Sequence, residues 1–271
     1  MKKLEHLSEI YEPYDTFIID LWGVMHNGIS LNDKAIKVIE NLSLNKKRIV
    51  FLSNAPRPSS DVAKFLKELN LNEKFLNNII TSGEAAIESL KKNEFGKKFF
   101  HIGPERDKTL FKNLEANKTN FKEADFILCT GLFEENENLD YYRNLFEKDN
   151  SKKLVCTNPD LTVHRGNQEE FCAGKIAEIY ETLGGEVIYF GKPYKEIYKL
   201  ILKNGEKNLI IGDNLNTDIK GANNLNLDSI FITSGVHRSE LVKNRISYLL
   251  EKYKVTIKFF QKELCWWNAY I

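Results

Sequence analysis

The chain has 271 residues, 42% of them hydrophobic and 28% charged, with a formal net charge of +1 and a pI near 7.6. That length predicts one large or two modest domains, each with a buried core. The near balance of charge gives nucleic acid and anionic membranes no electrostatic footprint, so neither is expected as a partner.

The start, Met1 to Asp15, has Lys2 and Lys3 but no apolar block behind them, and so predicts neither a signal peptide nor an anchor. No apolar run approaches the roughly 18 residues that a membrane helix needs. From there apolar runs and helical patterns alternate. Thr16 to Asp20 (TFIID) reads as a buried strand, and Leu31 to Leu42 as a helix capped by Asn32 or Asp33. Lys47 to Asn54 (KRIVFLSN) reads as a second strand, and Ser59 to Asn70 as a helix starting near Ser60 or Asp61. Asn77 to Ser82 and a helix over Gly83 to Lys92 follow. Such alternation predicts a parallel sheet covered on both faces.

The middle repeats the pattern: Lys97 to Gly103, a helix near Lys108 to Leu114, Ala124 to Gly131, a helix over Asn138 to Asp149, and Lys153 to Asp160. These strands either extend the first sheet or build a second, smaller one. A helix over Phe171 to Leu183 stops at Gly184-Gly185. The tight pattern then returns with Glu186 to Pro193, Tyr194 to Gly205, Asn208 to Asn214, Thr217 to Asn226 and Asp228 to Gly235. The tail after Ser239 reads as an amphipathic helix followed by apolar and aromatic residues; it packs onto the core in the preferred reading and forms the face of a homo-oligomer in the other. Cys129, Cys156, Cys172 and Cys265 show no C-x-x-C spacing, which fits reduced thiols in the cytoplasm better than a disulfide or zinc framework. His6, His101 and His237 form no ligand spacing, so no transition-metal site is expected.

Four strand ends carry the chemistry. Asp20 closes the first strand, Ser53 and Asn54 the second, Lys192 sits on a Gly-Lys-Pro turn, and Asp213 ends a later strand with Asp218 five positions on. Each alone is an ordinary cap or turn former. In an open parallel sheet, however, such ends converge on one crevice. A carboxylate nucleophile, hydroxyl and amide donors, one cation and two further carboxylates suit phosphoryl transfer with a hard metal ion.

Asp20 with Gly23-Val24, then Ser53-Asn54, then Gly191-Lys192-Pro193, then Gly212-Asp213 with Asp218 and Gly221-Ala222 resembles the four-motif series of the haloacid dehalogenase (HAD) superfamily of hydrolases. The interval of about 140 residues between the second and third motifs is similar to subfamily IIA, which includes 4-nitrophenylphosphatase and the nucleotide-monophosphate phosphatase of the N-acetylglucosamine operon. The stretch Ile19 to Gly28 with Leu52 to Pro58 looks closest to a bacterial branch of it. The resemblance implies an α/β fold: a Rossmann-like core over residues 1–82 and 184–271 with a parallel sheet, and an inserted α/β cap over 83–183. It further implies an aspartyl-phosphate on Asp20 and a phosphoryl group held by Ser53 and Lys192. Mg²⁺ would be bound by Asp20, Asp213, Asp218 and the carbonyl of Trp22, and the substrate would be a small phosphorylated metabolite.

Position 22 departs from the pattern. Most phosphatases of the superfamily carry there a second Asp that protonates the leaving oxygen and later activates water, a contribution of about 10²- to 10⁴-fold. An indole N–H only donates and does not titrate near neutral pH. Three readings follow: substrates whose leaving group needs no proton, His26 as substitute acid and base, or a non-catalytic protein that binds a phosphate ligand or regulates on the same fold. A fourth is carbon-halogen displacement, since dehalogenases also lack that acid, but Asp213 and Asp218 would repel each other without a cation. In the cap, Asn158 and Asp160 are expected to face the substrate, and His164 or Arg165 to meet an anionic tail of it.

Overall fold

The computed structural model describes residues 1–166 and 168–267; Asn167 and the last four positions of the expected tail lie outside the described residues. The strands are β1 (Lys2–Lys3), β2 (Thr16–Ile19), β3 (Arg48–Ser53), β4 (Ile79–Thr81), β5 (Phe99–Ile102), β6 (Phe126–Cys129) and β7 (Lys153–Cys156). They continue with β8 (Thr162–Arg165), β9 (Gln168–Phe171), β10 (Val187–Tyr189), β11 (Asn208–Gly212), β12 (Asp228–Ile232) and β13 (Phe259–Gln261).

Seven strands form a parallel sheet in the order β1-β13-β12-β11-β2-β3-β4. Alternation along each strand splits its side chains between two cores, as a sheet covered on both faces requires. Phe17, Ile19, Phe51, Leu209 and Ile211 enter one core, while Ile18, Val50, Leu52 and Ile210 enter the other. The helix Asp33–Leu44 covers the first face with Ala35, Val38, Ile39 and Leu42, spaced for a single stripe. It starts where expected, because the Asn32 side chain accepts the Lys34 N–H at 3.1 Å.

A second parallel sheet, β10-β7-β6-β5, stands apart from the first, and β8 pairs antiparallel with β9 as a separate hairpin. Here the structure corrects the division read at residue 184. Strand β10 pairs with β7, Ile188 opposite Val155, and so belongs to the smaller sheet rather than to the resumed larger one. The physical reason is local: β7, the helix Ala173–Thr182 and β10 form one strand-helix-strand crossover, and the chain returns to the larger sheet only after Lys192.

Three further differences concern short elements. The helix expected over 194–205 is a single turn, Lys195–Tyr198, and that near 108–114 is a run of 3₁₀ turns over Glu105–Asn117. The tail forms the helices Arg238–Lys243 and Ile246–Tyr253 and then β13, which pairs with the N-terminal β1. Leu249, Val255 and Ile257 pack there against Leu215, Ile219 and Phe231.

Phe51 is fully buried in β3, an interior strand next to the edge strand β4. Phe51→Ala is expected to cost about 3–5 kcal/mol, whereas Leu44→Ala, at a position 80% exposed, should stay within about 0.5 kcal/mol. Guanidinium unfolding midpoints with unchanged slopes would check both values, and equal shifts in the two variants would contradict the layer assignment.

Candidate active site

The larger sheet reverses its strand order between β2 and β11. From β2 the chain winds outward through β3 and β4, and from β11 through β12 and β13 in the other direction. The crevice beyond the carboxyl ends of that pair is where open parallel sheets bind ligands. Asp20 follows β2 there and Asp213 follows β11. Ile211 O accepts the Asp20 N–H at 2.9 Å, which carries the register one residue past the strand.

Lys192 enters from the loop after β10. Its ammonium contacts Asp20 Oδ1 and donates to Asp218 Oδ1 at 2.7 Å and to Leu52 O at 2.9 Å, so its three donors are all engaged. Carboxylate oxygens of Asp20, Asp213 and Asp218 lie within 4.8 Å of one another, and all three residues are buried. Asp213 Oδ2 also accepts the Val236 N–H at 2.6 Å, and Asp218 Oδ2 that of Asn214 at 3.1 Å. Gly23, at φ +86°, lies so close to Asp213 that a Cβ there would overlap its carboxylate, which places the Trp22–Gly23 peptide beside the acids.

The charges are unbalanced. Burial, then the neighbouring Asp218 and Asp213, lift the Asp20 pKa well above the ordinary range against the pull of Lys192. Burial and Asp218 push Asp213 up to about 8. Burial presses Lys192 down, but Asp20, Asp218 and Asp160 outweigh it and hold the ammonium well above its usual value. One cation among three carboxylates, all with oxygen donors, fits a hard divalent ion.

The remaining expected residues divide. Ser53 ends β3 at the crevice, and its Oγ accepts the Ala55 N–H at 3.2 Å. Asn54, expected to face the substrate, lines the cavity and also clasps Lys192: its Oδ1 accepts the Lys192 N–H at 2.8 Å and its Nδ2 donates to Lys192 O at 3.2 Å. Asp160 accepts from Asn54 Nδ2 at 3.3 Å and Asn214 Nδ2 at 3.1 Å, so it joins the smaller sheet's loop to two strand ends of the larger. Asn158 lines the same cavity while its Oδ1 accepts the Asp160 N–H at 3.1 Å.

His26 is corrected most. It is 4% exposed, lies edge-on to Trp22 and Phe65 with ring centroids 5.1 and 5.4 Å away, and its Nδ1 accepts the Gly28 N–H at 3.0 Å. Burial, with Arg165 and Arg57 nearby, lowers its pKa to about 4. The ring is a neutral packing element whose acceptor nitrogen is already used, so an imidazolium to protonate a leaving group is absent near neutral pH.

The crevice opens into a cavity of about 740 Å³ between the two sheets, within the usual range for small-molecule sites. Its roof includes Asp107, Thr130 and Asn158 at the carboxyl ends of the smaller sheet, with Arg57 of the larger layer 3.5 Å from Asp107. Asn214, Arg57 and Arg238 are participants that the sequence reading missed. Asn214, directly after Asp213, and Arg57, within the Leu52 to Pro58 stretch, stood beside recognisable signals; Arg238 did not.

Profiles for haloacid dehalogenase-like hydrolases match residues 17–117, and for HAD-hydrolase-like proteins residues 189–254. A haloacid dehalogenase-like family hydrolase from Brucella suis is 30% identical with a TM-score of 0.85, over 96% of this chain and 99% of that one. The chain belongs to the haloacid dehalogenase-like hydrolase family. The acid sugar phosphatase of Staphylococcus epidermidis is 24% identical over 86% of this chain and 91% of its own. The 4-nitrophenylphosphatase of Thermotoga maritima superposes with a TM-score of 0.69 at 24% identity, over 93% of this chain and 95% of that one.

In this HAD hydrolase the position of His26 has a measurable consequence. The unfolded chain protonates its histidine near pH 6.5 while the folded one does not until about pH 4, so stability falls as pH drops through that window, by about 3 kcal/mol in total. His26→Asn keeps an acceptor for Gly28 and should lose that share of the pH dependence in unfolding titrations between pH 7 and 4. An unchanged slope would mean that the ring titrates normally.

Proposed function

We propose that this hydrolase is a Mg²⁺-dependent phosphatase of a small phosphorylated metabolite, working in the cytoplasm through an aspartyl-phosphate on Asp20. The observation that carries the reading is the buried Lys192 ammonium set among Asp20, Asp218 and Leu52 O, with Asp213 alongside. The names of the similar acid sugar phosphatase and 4-nitrophenylphosphatase support the phosphoryl class. The free cysteines, three of them buried, fit a reducing compartment. Residues 1–82 with the chain after β10 act as the core, and the smaller sheet with its hairpin as a cap.

In this scheme an Asp20 carboxylate oxygen attacks phosphorus, the new P–O bond forms, and the bond to the leaving oxygen breaks on the opposite side. Ser53 holds a transferring oxygen, Lys192 takes another by exchanging one of its three protein acceptors for it, and Asn54 keeps Lys192 in place. Asp20, Asp213, Asp218 and the Trp22 carbonyl would hold the metal. Mg²⁺, when bound, supplies charge neutralisation that a single lysine cannot give to three carboxylates and a phosphoryl group.

The leaving group is the restricted part. Among the described residues Lys192 is the sole side chain hydrogen-bonded to the Asp20 carboxylate, and neither Trp22 nor neutral His26 supplies a proton. Donors whose leaving anion is stable by itself, acyl and aryl phosphates, suit this site best. Water attack on the aspartyl-phosphate lacks a base and should be slow. The acid cluster weighs against a metal-free dehalogenase, and a pure binding protein would have no use for Asp20 beside Lys192.

Intact-protein mass after incubation with Mg²⁺ and acetyl phosphate tests the scheme, with released phosphate followed in parallel. One phosphoryl group should appear on the wild type and persist through slow turnover, and Asp20→Asn should show none. Equal labelling of Asp20→Asn, or neither adduct nor product from acetyl phosphate and 4-nitrophenyl phosphate, would overturn the nucleophile assignment.

A further inference from the structure

Trp22 stands where an acid was expected, and its partly buried side chain lines the cavity and contacts His164, Arg165, Gly28 and His26. The indole Nε1–H donates to His164 O at 2.8 Å, between residues 142 positions apart. The Arg165 guanidinium carbon lies 5.4 Å from the ring centroid, and its Nε is held by Glu170 Oε1 at 2.8 Å. Gly28, at φ +85°, lies against the indole's six-membered ring so closely that a Cβ there would come within 2.7 Å of Cζ2. His26 supports the ring's edge at 5.1 Å.

His164 and Arg165 belong to β8, so Trp22 grips the β8–β9 hairpin. A two-stranded ribbon of four-residue strands is marginal by itself. The larger layer holds its turn as well: the Gly166 N–H donates to Asn27 O at 3.1 Å, and Gly166 O accepts Arg238 Nη2 at 3.0 Å. The hairpin walls the cavity with Val163, His164, Arg165, Glu169 and Phe171. Lifting it to admit a larger ligand breaks the indole bond and both Gly166 bonds.

We infer that Trp22 is a strap: it fixes the β8–β9 hairpin as a wall of the cavity and thereby limits the size of the phosphoryl donor that reaches Asp20. It is a positioning residue for specificity, in place of the proton transfer that its position otherwise serves. The kinetic half of this inference rests on the nucleophile reading above; the structural half does not.

Trp22→Phe removes the N–H and keeps a ring between Gly28 and Arg165, and Arg238→Met loosens the same hairpin from outside the Trp22 loop. Hydrogen exchange across 162–171 should accelerate roughly threefold to tenfold in each variant, the scale of one lost hydrogen bond, with β2, β3 and β11 still protected. The ratio of kcat/KM for 1-naphthyl phosphate to that for acetyl phosphate should rise by a similar factor, through KM more than kcat. Unchanged exchange in Trp22→Phe, or in Arg238→Met should the first variant not fold, overturns the strap, and a loosened hairpin with an unchanged ratio overturns the specificity role. A wild type inactive on both donors removes the nucleophile reading and the specificity role with it, while exchange still decides whether the strap exists.

Discussion

A lysine ammonium enclosed by carboxylates is the contact on which the rest of the site depends. Burying a charge costs several kcal/mol per ion even after relaxation, and Lys192 is 2% exposed. That cost is tolerated because its three donors all find acceptors, and each acceptor belongs to a different strand end: Leu52 on β3, Asp20 after β2 and Asp218 beyond β11. The same residue arrives directly from the smaller sheet's last strand. A single ammonium thus holds three ends of the larger sheet in register with the point where the chain returns from the smaller one. Asn54 completes the arrangement by closing on the Lys192 backbone from both sides, so the ammonium is aimed by a rigid peptide as well as by its partners.

Two sheets then share one cavity through the same kind of edge. The larger sheet presents Asp20, Ser53 and Asp213 at its carboxyl ends, and the smaller one presents Thr130 and Asn158 at its own. Parallel strands gather loops at that edge, so facing two such edges lines one cavity from both sides: Asp20, Ser53 and Asp213 from below, and Asp107, Thr130 and Asn158 from above. Asp160 is the joint between them. Its carboxylate takes hydrogen bonds from Asn54 and Asn214, which flank the β3 and β11 ends, so the smaller sheet is seated by the residues that border the acid cluster.

Much of this was legible in the sequence for a simple reason. Asp20, Ser53 and Asp213 close short apolar runs, and a parallel sheet turns the ends of such runs into neighbours without any knowledge of distance; Lys192 also follows an apolar run, but reaches them from a strand of the smaller sheet. What stayed hidden depends on pairing across the chain. Asn54 reads only as a substrate ligand until the backbone of Lys192, 138 positions away, is seen in its grasp. His26 carries an apt intrinsic pKa, but burial between Trp22 and Phe65 has no linear signature. The sheet that β10 joins is equally invisible, since an apolar triplet before Gly-Lys-Pro looks the same in either layer. The three-residue β13 and two-residue β1 fall below the length at which alternation says anything, and they become strands only by pairing, β13 with β12 and β1 with β13.

The identity of residue 22 and the charge inventory of the crevice bear on the same step. A departing alkoxide needs either a proton or strong positive charge. Here the ammonium's three donors are already committed, the carboxylates outnumber it, and the imidazole nearest the nucleophile loop is neutral. A metal ion held by Asp20, Asp213 and Asp218 would first neutralise those carboxylates. Under the proposed aspartyl-phosphate scheme, stability of the leaving anion would then reside in the substrate, the property that acyl and aryl phosphates share and alkyl phosphates lack. Freed from proton transfer, position 22 can hold a large donor-only ring, and a ring of that reach is what spans the gap to the backbone of the β8–β9 hairpin. In the two proposals the missing proton donor and the contact to the hairpin belong to one side chain, so selectivity by leaving group and selectivity by size would both rest on Trp22.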